Sequence, residues 1–389
     1  MFKIQTLNKI SPIGLDCFSR AKYEVASEII KPDAIVVRSF KMHEMAFDAN
    51  LKAIARAGAG TNNIPIEKCT QEGIVVFNTP GANANAVKEI VLASLFLASR
   101  DITGGVAWTQ SIKDEGKNVP PLVEKQKSNF AGCEISGKKL GVIGLGAIGA
   151  MVANSAVDLG MTVVGYDPYL SVDAAWGLSS KVQKATGLET LLKEVDYITI
   201  HVPLLESTKE MFNSEKFAMM KEGVKIINFS RGGLIHDDDM IQAIGEGKVS
   251  TYITDFPEAK LLGIKGIIPI PHLGASTAQS EQNCALMAVQ ELKDYLENGN
   301  IKNSVNFPNC FLNRTAGEKR ITIANQNIPN MIGEITSTLA NHNVNIHDML
   351  NKSKDDLAYN IIDVDGDVNE NVISELQNIE GIIMVRVIA

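Results

Sequence analysis

The chain has 389 residues, of which 45% are hydrophobic and 21% charged, a composition typical of a globular protein with two or three domains. Its formal net charge of −8 argues against a nucleic-acid binder and against a protein that binds acidic membranes. An anionic substrate would therefore need a local basic pocket set against a repulsive overall field.

The first hundred residues alternate short β-branched runs with helical patterns. We predict buried strands at 34–39, 52–58 and 74–80, followed by a long buried helix at 86–102. This alternation is typical of βαβ units and predicts a parallel sheet.

A second series of six strand candidates follows, at 139–144, 162–167, 197–203, 225–230, 251–256 and 266–271. Strands in this order fit a doubly wound nucleotide-binding domain. A helix at about 277–297 then leads to an irregular segment rich in Asn, Gly and Pro, which is a linker candidate.

The last seventy residues change character. Strand patterns at 320–325, 344–353, 357–365 and 382–388 are interleaved with helices near 330–341 and 369–378. The resulting βαββαβ order is the ferredoxin-like pattern, which is usually a binding or dimerising module.

Cysteine spacing and apolar runs indicate the compartment. The five cysteines are scattered and show neither CxxC nor Cys/His spacing, which disfavours a disulfide framework and a zinc site. The N-terminus has no long apolar stretch, and no apolar run reaches about 18 residues. We therefore expect a cytoplasmic protein without a membrane segment or a bound metal.

The first strand of the second series runs into a glycine-rich motif, GLGAIG at 144–149. Gly144 permits a tight turn, Gly146 lets the backbone approach a pyrophosphate, and Gly149 lets helix and strand pack closely. Asp167 closes the next strand, where a carboxylate can accept hydrogen bonds from ribose hydroxyls. Because Asp167 would repel a 2′-phosphate, the motif predicts NAD rather than NADP.

Three later strands of this series end in side chains suited to oxidising a 2-hydroxy acid. The carboxyl ends of parallel strands share one edge of a sheet, so these side chains should face one crevice. Arg231 can hold a carboxylate bidentately, and the imidazole of His272 can move a hydroxyl proton. Glu258 can orient that imidazole and favour its charged form.

Seven segments carry a resemblance to a known family. In this order, RAGAGTNNI, GVIGLGAIG, VVGYDPY, HVPLL, NFSRGGLI, TDFPE and PHLGAST resemble the D-2-hydroxyacid dehydrogenases. Within that family, VVRS, the linker NSVNFP and a tail similar to an ACT regulatory domain resemble the branch that acts on D-3-phosphoglycerate. The resemblance covers nearly the whole chain. It implies NAD-dependent oxidation of that substrate to 3-phosphohydroxypyruvate, the first step of L-serine biosynthesis, in a homodimer or homotetramer.

The resemblance also implies a domain organisation. A flavodoxin-like substrate-binding domain would comprise residues 1–98 and 283–315. A Rossmann-type doubly wound parallel sheet, 99–282, would be inserted in it and bind NAD. A C-terminal ferredoxin-like ACT domain of the α+β class would span 316–389.

The family's functional residues carry over position by position. Its catalytic Arg, Glu and His fall on Arg231, Glu258 and His272. The implied contacts with NAD are Gly144, Gly146, Ala147, Ile148, Gly149, Asp167, Val202, Phe229, Ser230, Arg231, Asp255, His272, Leu273, Gly274 and Ala275. The implied contacts with substrate are Arg38, Ser39, Arg56, Arg231 and the backbone of Gly58 and Ala59. Lys41 is a further candidate only because it lies close to Arg38 and Ser39 in the sequence.

Some of these assignments have alternatives. In many relatives the catalytic Glu lies five residues beyond Asp255, where this chain has Lys260. Glu258 is the only acid between Asp255 and His272, and it receives the role by elimination. The alternative for Arg38 is a surface salt bridge. His201 is interpreted as a structural or cofactor-lining residue rather than a catalytic one.

In the tail, Asn327 and Asn345 match asparagines that contact serine in ACT domains. Asn325 stands where a ligand-binding His is often found, and Asn330 replaces a frequent Gly. Inhibition by L-serine is therefore a hypothesis, and its alternative is an ACT fold kept for subunit assembly.

Two other functions stay open at this point. One is a D-2-hydroxyacid dehydrogenase that acts on glycerate or hydroxypyruvate, and the other is an NAD-sensing scaffold without activity. The complete Arg, Glu and His set and the ACT-like tail argue against the scaffold.

Overall fold

A computed structural model describes residues 1–314 and 319–388 of the chain. These residues form two compact units. The first combines Met1–Asn83 with Ala278–Ala389, and the second is Ala84–Thr277.

The N-terminal part of the first unit forms a five-stranded parallel sheet in the order β2-β1-β3-β4-β5. Its strands and helices are β1 (Phe2–Leu7), α1 (Pro12–Leu15), β2 (Tyr23–Ala26), β3 (Ala34–Val37), β4 (Ala53–Arg56), α2 (Ile66–Gln71) and β5 (Val75–Phe77). Strands β3, β4 and β5 are buried almost throughout, as their continuous apolar runs require. The strand order is that of flavodoxin, which confirms the predicted class of this sheet.

The second unit contains a seven-stranded parallel sheet with helices. Its strands are β6 (Lys139–Ile143), β7 (Thr162–Tyr166), β8 (Gln183–Lys184), β9 (Tyr197–Ile200), β10 (Val224–Asn228), β11 (Val249–Thr254) and β12 (Ile267–Pro269). Its helices are α3 (Ala84–Ser99), α4 (Ile102–Ser111), α5 (Val119–Gln126), α6 (Ala147–Asp158), α7 (Val172–Trp176), α8 (Leu188–Glu194), α9 (Ser214–Met219) and α10 (Asp237–Gly245). Short 3₁₀ turns lie at Lys113–Asn118, Lys127–Phe130 and Ala259–Leu261.

The order of this sheet is β12-β11-β10-β9-β6-β7-β8. Successive strands are added toward one edge of the sheet from β6 to β8 and toward the other edge from β9 to β12. The topological switch point therefore lies between the parallel neighbours β6 and β9. Ligands of open α/β sheets bind outside the carboxyl ends of the strands at such a point. The predicted doubly wound domain is therefore confirmed, with its glycine-rich loop beside the switch point.

The chain returns to the first unit through a long helix and ends in an antiparallel module. The elements are α11 (Ala278–Asn298), β13 (Lys319–Gln326), α12 (Met331–Asn341), β14 (Asn345–Lys354), β15 (Leu357–Asp365), α13 (Glu370–Asn378) and β16 (Ile382–Ile388). The sheet order β14-β15-β13-β16 is antiparallel throughout, which confirms the predicted ferredoxin-like layout.

One buried ion pair ties this module to the rest of the first unit. Arg320 and Asp363 lie opposite each other on β13 and β15, and their side chains are 0% and 3% exposed. The guanidinium donates to both Asp363 oxygens at 2.6 and 2.7 Å. Its remaining N–H groups donate to the carbonyls of Asn298, Leu312 and Asn313. All five donors are thus used, and the module is held against the end of α11 and the linker.

The unit boundaries differ from the predicted domain boundaries. The sequence placed the first at 98/99, but α3 buries Val91 and Leu95 among residues of the second sheet, so the division falls before Ala84. The second division falls before Ala278 rather than after 282, because α11 packs on the first sheet through Ala288 and Leu292. The predicted boundary at 315/316 lies outside the described residues.

The segments Phe2–Leu7, Tyr23–Ala26 and Gln183–Lys184 form strands that the sequence did not indicate. Within the described residues, 1–314 and 319–388, no single helix has both the length and the apolar character needed to cross a bilayer. Helices α3 and α4, bent by 68° at their junction, meet that length and composition test only as a pair.

Candidate active site and cofactor-binding edge

The residues expected to bind NAD all follow strands of the second sheet at the same edge. Asp167 follows β7, the glycine-rich loop follows β6, and Val202 follows β9. Phe229, Ser230 and Arg231 follow β10, Asp255 follows β11, and His272 to Ala275 follow β12. Three strand spacings, about 14 Å, separate β7 from β10. The structure thus places the whole predicted set along one edge, across the switch point.

The three glycines of the motif occupy positions with three different constraints. Gly144 has φ +88°, and a Cβ there would lie 2.6 Å from the carbonyl of His201. A Cβ on Gly149 would lie 1.9 Å from the carbonyl of Gly144, so α6 packs directly on the end of β6. A Cβ on Gly146 would meet no atom within 4 Å. Gly146 therefore faces open space at the N-terminus of α6, whose first residues are Ala147 and Ile148.

Asp167 links the glycine-rich loop to the next strand. One carboxylate oxygen accepts from the Leu145 N–H at 2.8 Å, and the other accepts from the Tyr169 N–H at 2.9 Å. A carboxylate has about four acceptor positions, so Asp167 retains capacity for ribose hydroxyls. The open cradle at Gly146 and this held acid fit a dinucleotide.

Arg231 is positioned by a residue that the sequence interpretation missed. Asn228 is 1% exposed, and its side-chain oxygen accepts from the Ser230 N–H at 3.0 Å while its nitrogen donates to the Arg231 carbonyl at 2.9 Å. The Ser230 hydroxyl donates to the Val202 carbonyl at 2.5 Å. The exposed guanidinium of Arg231 donates to the Ser230 carbonyl at 2.7 Å. The sequence signal that could have identified Asn228 is a polar residue at the end of a strand that is otherwise largely apolar.

Asp255 is buried, with 2% of its surface exposed, and accepts two backbone hydrogen bonds from the loop that carries His272. Its carbonyl accepts from the His272 N–H at 3.2 Å, and one carboxylate oxygen accepts from the Gly274 N–H at 2.9 Å. Burial raises the pKa of this carboxyl above its usual range, although the Gly274 N–H and the charges of His272 and Arg231 oppose that shift.

His272 has an unusual backbone. Its φ of +36° lies in the left-handed region. This conformation is unfavourable for a non-glycine residue, and residues that adopt it cluster at functional sites. Its imidazole packs against the ring of Phe256 with centroids 4.6 Å apart and planes at 56°. Leu273, 45% exposed, follows it at the rim. Phe256, which the sequence interpretation did not single out, therefore fixes one face of the imidazole.

The structure shows no direct interaction between the side chains of Glu258 and His272 among the described residues. Across the described residues these two side chains share no hydrogen bond or ion pair. Glu258 is exposed and lies within electrostatic reach of Asp237 and Lys260, and Lys260 forms an ion pair with Asp238 at 3.0 Å. Its assignment as the partner of His272 stays a prediction.

Two other histidines of this unit form hydrogen bonds with neighbouring residues of their own segments. Burial lowers the pKa of His201 to about 3, so its ring is neutral, and it shares a hydrogen bond of 2.9 Å with the Thr199 hydroxyl. His236 caps α10 by accepting from the Asp239 N–H at 3.4 Å.

The residues expected to bind substrate lie in the first unit, after β3 and β4. Arg38 forms an ion pair with Glu281 at 2.8 Å, with both side chains nearly half exposed. This pair is the alternative that the sequence left open for Arg38. The Arg56 Nε donates to the Arg38 carbonyl at 3.1 Å, and the Ser39 N–H donates to the Asn8 side chain at 3.0 Å.

The loop after β4 offers free backbone donors. The Gly58 N–H is bonded to the Arg56 carbonyl at 2.8 Å. The N–H groups of Ala59 and Gly60 donate to nothing within the described parts of the chain. Of the predicted pair, Ala59 rather than Gly58 therefore has the available donor.

Beside this loop lies an open depression of about 450 Å³, here called the basic depression. It is lined by Ser39, Lys41, His43, Arg56, Asn62 and Asn63. The sequence interpretation did not select His43, Asn62 or Asn63, although the last two belong to the RAGAGTNNI segment. The lining contains two permanent cations and no carboxylate, so it suits an anion.

Comparisons with known proteins agree with this geometry. Residues 92–274 match the family model described as D-isomer specific 2-hydroxyacid dehydrogenase, NAD binding domain. A D-3-phosphoglycerate dehydrogenase of Methanocaldococcus jannaschii is 35% identical over 74% of this chain and 54% of its own length. A hydroxypyruvate reductase of Thermotoga maritima is 37% identical over 70% of this chain and 87% of its own length.

A solved structure of NAD⁺-bound 3-phosphoglycerate dehydrogenase from Entamoeba histolytica is 26% identical, with a TM-score of 0.60. It matches 80% of this chain and 99% of its own. The chain spans about half the length of the first curated relatives it matches, 54% of each. The chain belongs to the D-isomer-specific 2-hydroxyacid dehydrogenase family, and its second unit carries the family's NAD-binding domain.

Proposed function

We propose that the protein oxidises D-3-phosphoglycerate to 3-phosphohydroxypyruvate with NAD, the first step of L-serine biosynthesis. The observation that carries this proposal is the basic depression beside the free Ala59 N–H. A substrate with both a carboxylate and a phosphate needs two anion sites, and an acidic protein must build them locally. The phosphoglycerate dehydrogenases among the relatives support the same substrate.

The Ala59 N–H would supply a backbone donor for the substrate carboxylate. The family resemblance assigns carboxylate binding to Arg231 as well, whose guanidinium is a planar fork that matches carboxylate geometry. The phosphate would occupy the basic depression, where Lys41 and Arg56 provide charge and Ser39 provides a hydroxyl. Arg38, once released from Glu281, would add a third cation.

His272 would take the proton of the substrate hydroxyl as a general base. Its strained backbone and the Phe256 ring hold the imidazole in one orientation, which reduces the entropy lost on reaching the reactive geometry. Glu258 would favour the imidazolium that forms. Bound NAD supplies the hydride acceptor, held by the glycine-rich loop and Asp167.

An assay of NADH formation across a panel of D-2-hydroxy acids tests the activity. We expect D-3-phosphoglycerate to give the highest kcat/KM. We expect His272→Ala to lose kcat by at least about 10²-fold while still binding NADH. Near-normal turnover by this variant would remove its assigned role, and no turnover of any acid by the wild type would favour the scaffold.

A second substrate class is favoured by one comparison. The Thermotoga maritima relative at 37% identity is named hydroxypyruvate reductase. If unphosphorylated glycerate were the substrate, Arg38→Ala would change its kinetics little. For D-3-phosphoglycerate the same substitution should raise KM, and this contrast separates the two classes.

Glu258 has its own test in Glu258→Gln. We expect kcat to fall about tenfold or more, because the developing imidazolium loses a counter-charge. Asp237→Asn, at the neighbouring acid, is the matched control. Unchanged kcat in Glu258→Gln would mean that another carboxylate supports His272.

We also propose that L-serine binds the C-terminal module and inhibits the enzyme. Asn327 donates its backbone N–H to Asp356 before β15, whereas Asn345 pairs with Asp365 at the other end of β15. Nine residues of extended chain, about 30 Å, separate those ends, so the two asparagines do not meet within one chain. A serine that touched both would need two copies of the module.

Two residues of the module, Asn325 and Asn330, differ from the usual ACT pattern, and both side chains already form hydrogen bonds. Asn325 is buried and bonded to the Gln326 carbonyl and to Asn360, so it does not present a free ligand group. Asn330 has φ +71°, a left-handed conformation that Gly adopts freely and that Asn adopts more readily than most other residues. Activity measured against serine up to millimolar concentration tests the hypothesis, and an unchanged rate contradicts it.

The subunit organisation and the compartment complete the proposal. We propose a cytoplasmic homodimer or homotetramer, in keeping with the family resemblance. Sedimentation equilibrium of the purified chain tests the assembly state, and a monomer at micromolar concentration would contradict it. Fractionation of the producing cells tests the location.

A further inference from the structure

A buried acid on α11 is connected by hydrogen bonds to the loop that carries the free Ala59 N–H. Glu291 is 8% exposed, and one of its carboxylate oxygens accepts from the Asn303 side chain at 2.7 Å. The other oxygen is buried without a protein partner. Nothing in the proposed chemistry uses this acid.

Asn303 is hydrogen-bonded to Asn78, which follows the end of β5. It has φ +60°, a left-handed conformation in which its carbonyl accepts from the Asn78 N–H at 3.3 Å. The next residues add to the edge of β5, with Ser304 bridged to Phe77 and Val305 donating to the Val76 carbonyl at 2.9 Å. The side chain of Glu291 therefore fixes the residue at which the returning chain meets β5.

The residues after β5 hold the loop after β4. The Asn78 side chain donates to the Ala59 carbonyl at 2.6 Å, and the Thr79 N–H donates to the Gly58 carbonyl at 3.1 Å. Both carbonyls of the loop are thus anchored from one side. Anchored carbonyls turn the following N–H groups of Ala59 and Gly60 in a fixed direction, because the peptide units are planar.

We propose that Glu291 is a positioning residue, which acts through Asn303 and Asn78 to orient the backbone donors at Ala59 for the substrate carboxylate. The inference rests on the proposed function, in which that loop binds the carboxylate. Burial raises the pKa of Glu291 to about 8, so the group is a neutral acceptor at pH 7. Lys302 is the charged group that acts on it, and it lowers the pKa by less than burial raises it.

Two substitutions of one residue separate positioning from packing. Glu291→Gln keeps a neutral oxygen for Asn303, whereas Glu291→Leu keeps the approximate volume and removes the acceptor. We expect Glu291→Leu to raise KM for the hydroxy acid about five- to tenfold, the effect of one hydrogen bond, with the Kd for NADH unchanged. We expect Glu291→Gln to stay within about twofold of the wild type at pH 7.

Asp294→Asn is the matched control on the same helix. Asp294 also accepts from asparagine side chains, those of Asn298 and Asn300, but they do not lead to β5. We expect its KM to be unchanged. An unchanged KM in folded Glu291→Leu would overturn the proposal, and so would a KM rise matched by weaker NADH binding.

Amide hydrogen exchange tests the connection without any substrate. In Glu291→Leu the amides of Asn78 and Thr79, which depend on Asn303 and the loop, should exchange faster, and in Glu291→Gln they should not. If the wild type oxidises no hydroxy acid, the proposed function fails, and this exchange pattern still decides the positioning. Equal exchange in all variants would overturn it.

Discussion

The carboxylate of Asp167 accepts a hydrogen bond of 2.8 Å from the backbone N–H of Leu145, inside the glycine-rich loop. The acid that is expected to meet the ribose therefore also holds the loop that is expected to meet the phosphates. A single side chain therefore joins the expected ribose site to the expected phosphate site.

Asp167→Ala should weaken NAD binding by roughly ten- to hundredfold, since it removes a charged acceptor from the ribose and from the loop. The kcat at saturating NAD should change little, and NADP should improve relative to NAD because the 2′-phosphate is no longer repelled. Initial rates with both cofactors measure this. Asp158→Ala removes an exposed acid from α6 and should leave both KM values unchanged. An equal loss in the two variants would contradict the assignment of Asp167.

Much of the fold could be predicted because each signal was local. Strands such as β3 and β5 are continuous apolar runs. In the GLGAIG motif, a side chain would clash at Gly144 and Gly149, whereas Gly146 faces open space. The edge of the second sheet followed from these positions, because parallel strands end together. The positions of His272 and Arg231 at this edge could therefore be predicted from the sequence.

Contacts between distant parts of the chain could not be predicted. Nothing near Arg38 in the sequence indicates that Glu281 pairs with it, and nothing near Asn345 shows that it lies a strand length from Asn327. The short loop before His272 identified Glu258 by elimination, but the sequence does not indicate that this acid lies near Asp237. Such relationships depend on tertiary packing, which carries no short-range pattern.

The Arg38–Glu281 pair should compete with the substrate phosphate for the guanidinium. Both side chains are nearly half exposed, and such pairs contribute about 0.2–1 kcal/mol. Glu281→Gln should therefore lower KM for D-3-phosphoglycerate by up to about fivefold with kcat unchanged, and the gain should shrink at high salt. Glu124→Gln, which breaks an exposed pair with Lys127, is the control. A KM that stays the same or rises would mean that Arg38 does not meet the phosphate.

Two adjacent ion pairs of the C-terminal module should differ sharply in their contribution to stability. Arg320→Met leaves Asp363 buried without its partner, which should cost about 3–5 kcal/mol of the free energy of unfolding. Lys319→Met breaks an exposed pair with Asp367 and should cost at most about 1 kcal/mol. Urea denaturation measures both. The double variant Arg320→Met/Asp363→Leu should recover part of the loss, and equal effects of the two single variants would refute the distinction.

The raised pKa of Glu291, about 8, predicts how stability depends on pH. Between about pH 4.5, where the acid titrates in the unfolded chain, and pH 8, the native state holds a proton that the unfolded state has released. The free energy of unfolding should therefore fall as pH rises through this window and level off above it. Glu291→Gln cannot titrate, so it should remove this slope and add on the order of 1–3 kcal/mol at pH 7. Urea midpoints at pH 6 and 8.5 measure the difference. Glu89→Gln, at an exposed acid that accepts from Asn85, should leave the slope as it is in the wild type. A wild-type slope that persists in Glu291→Gln would show that this acid is ionised in the native protein at neutral pH.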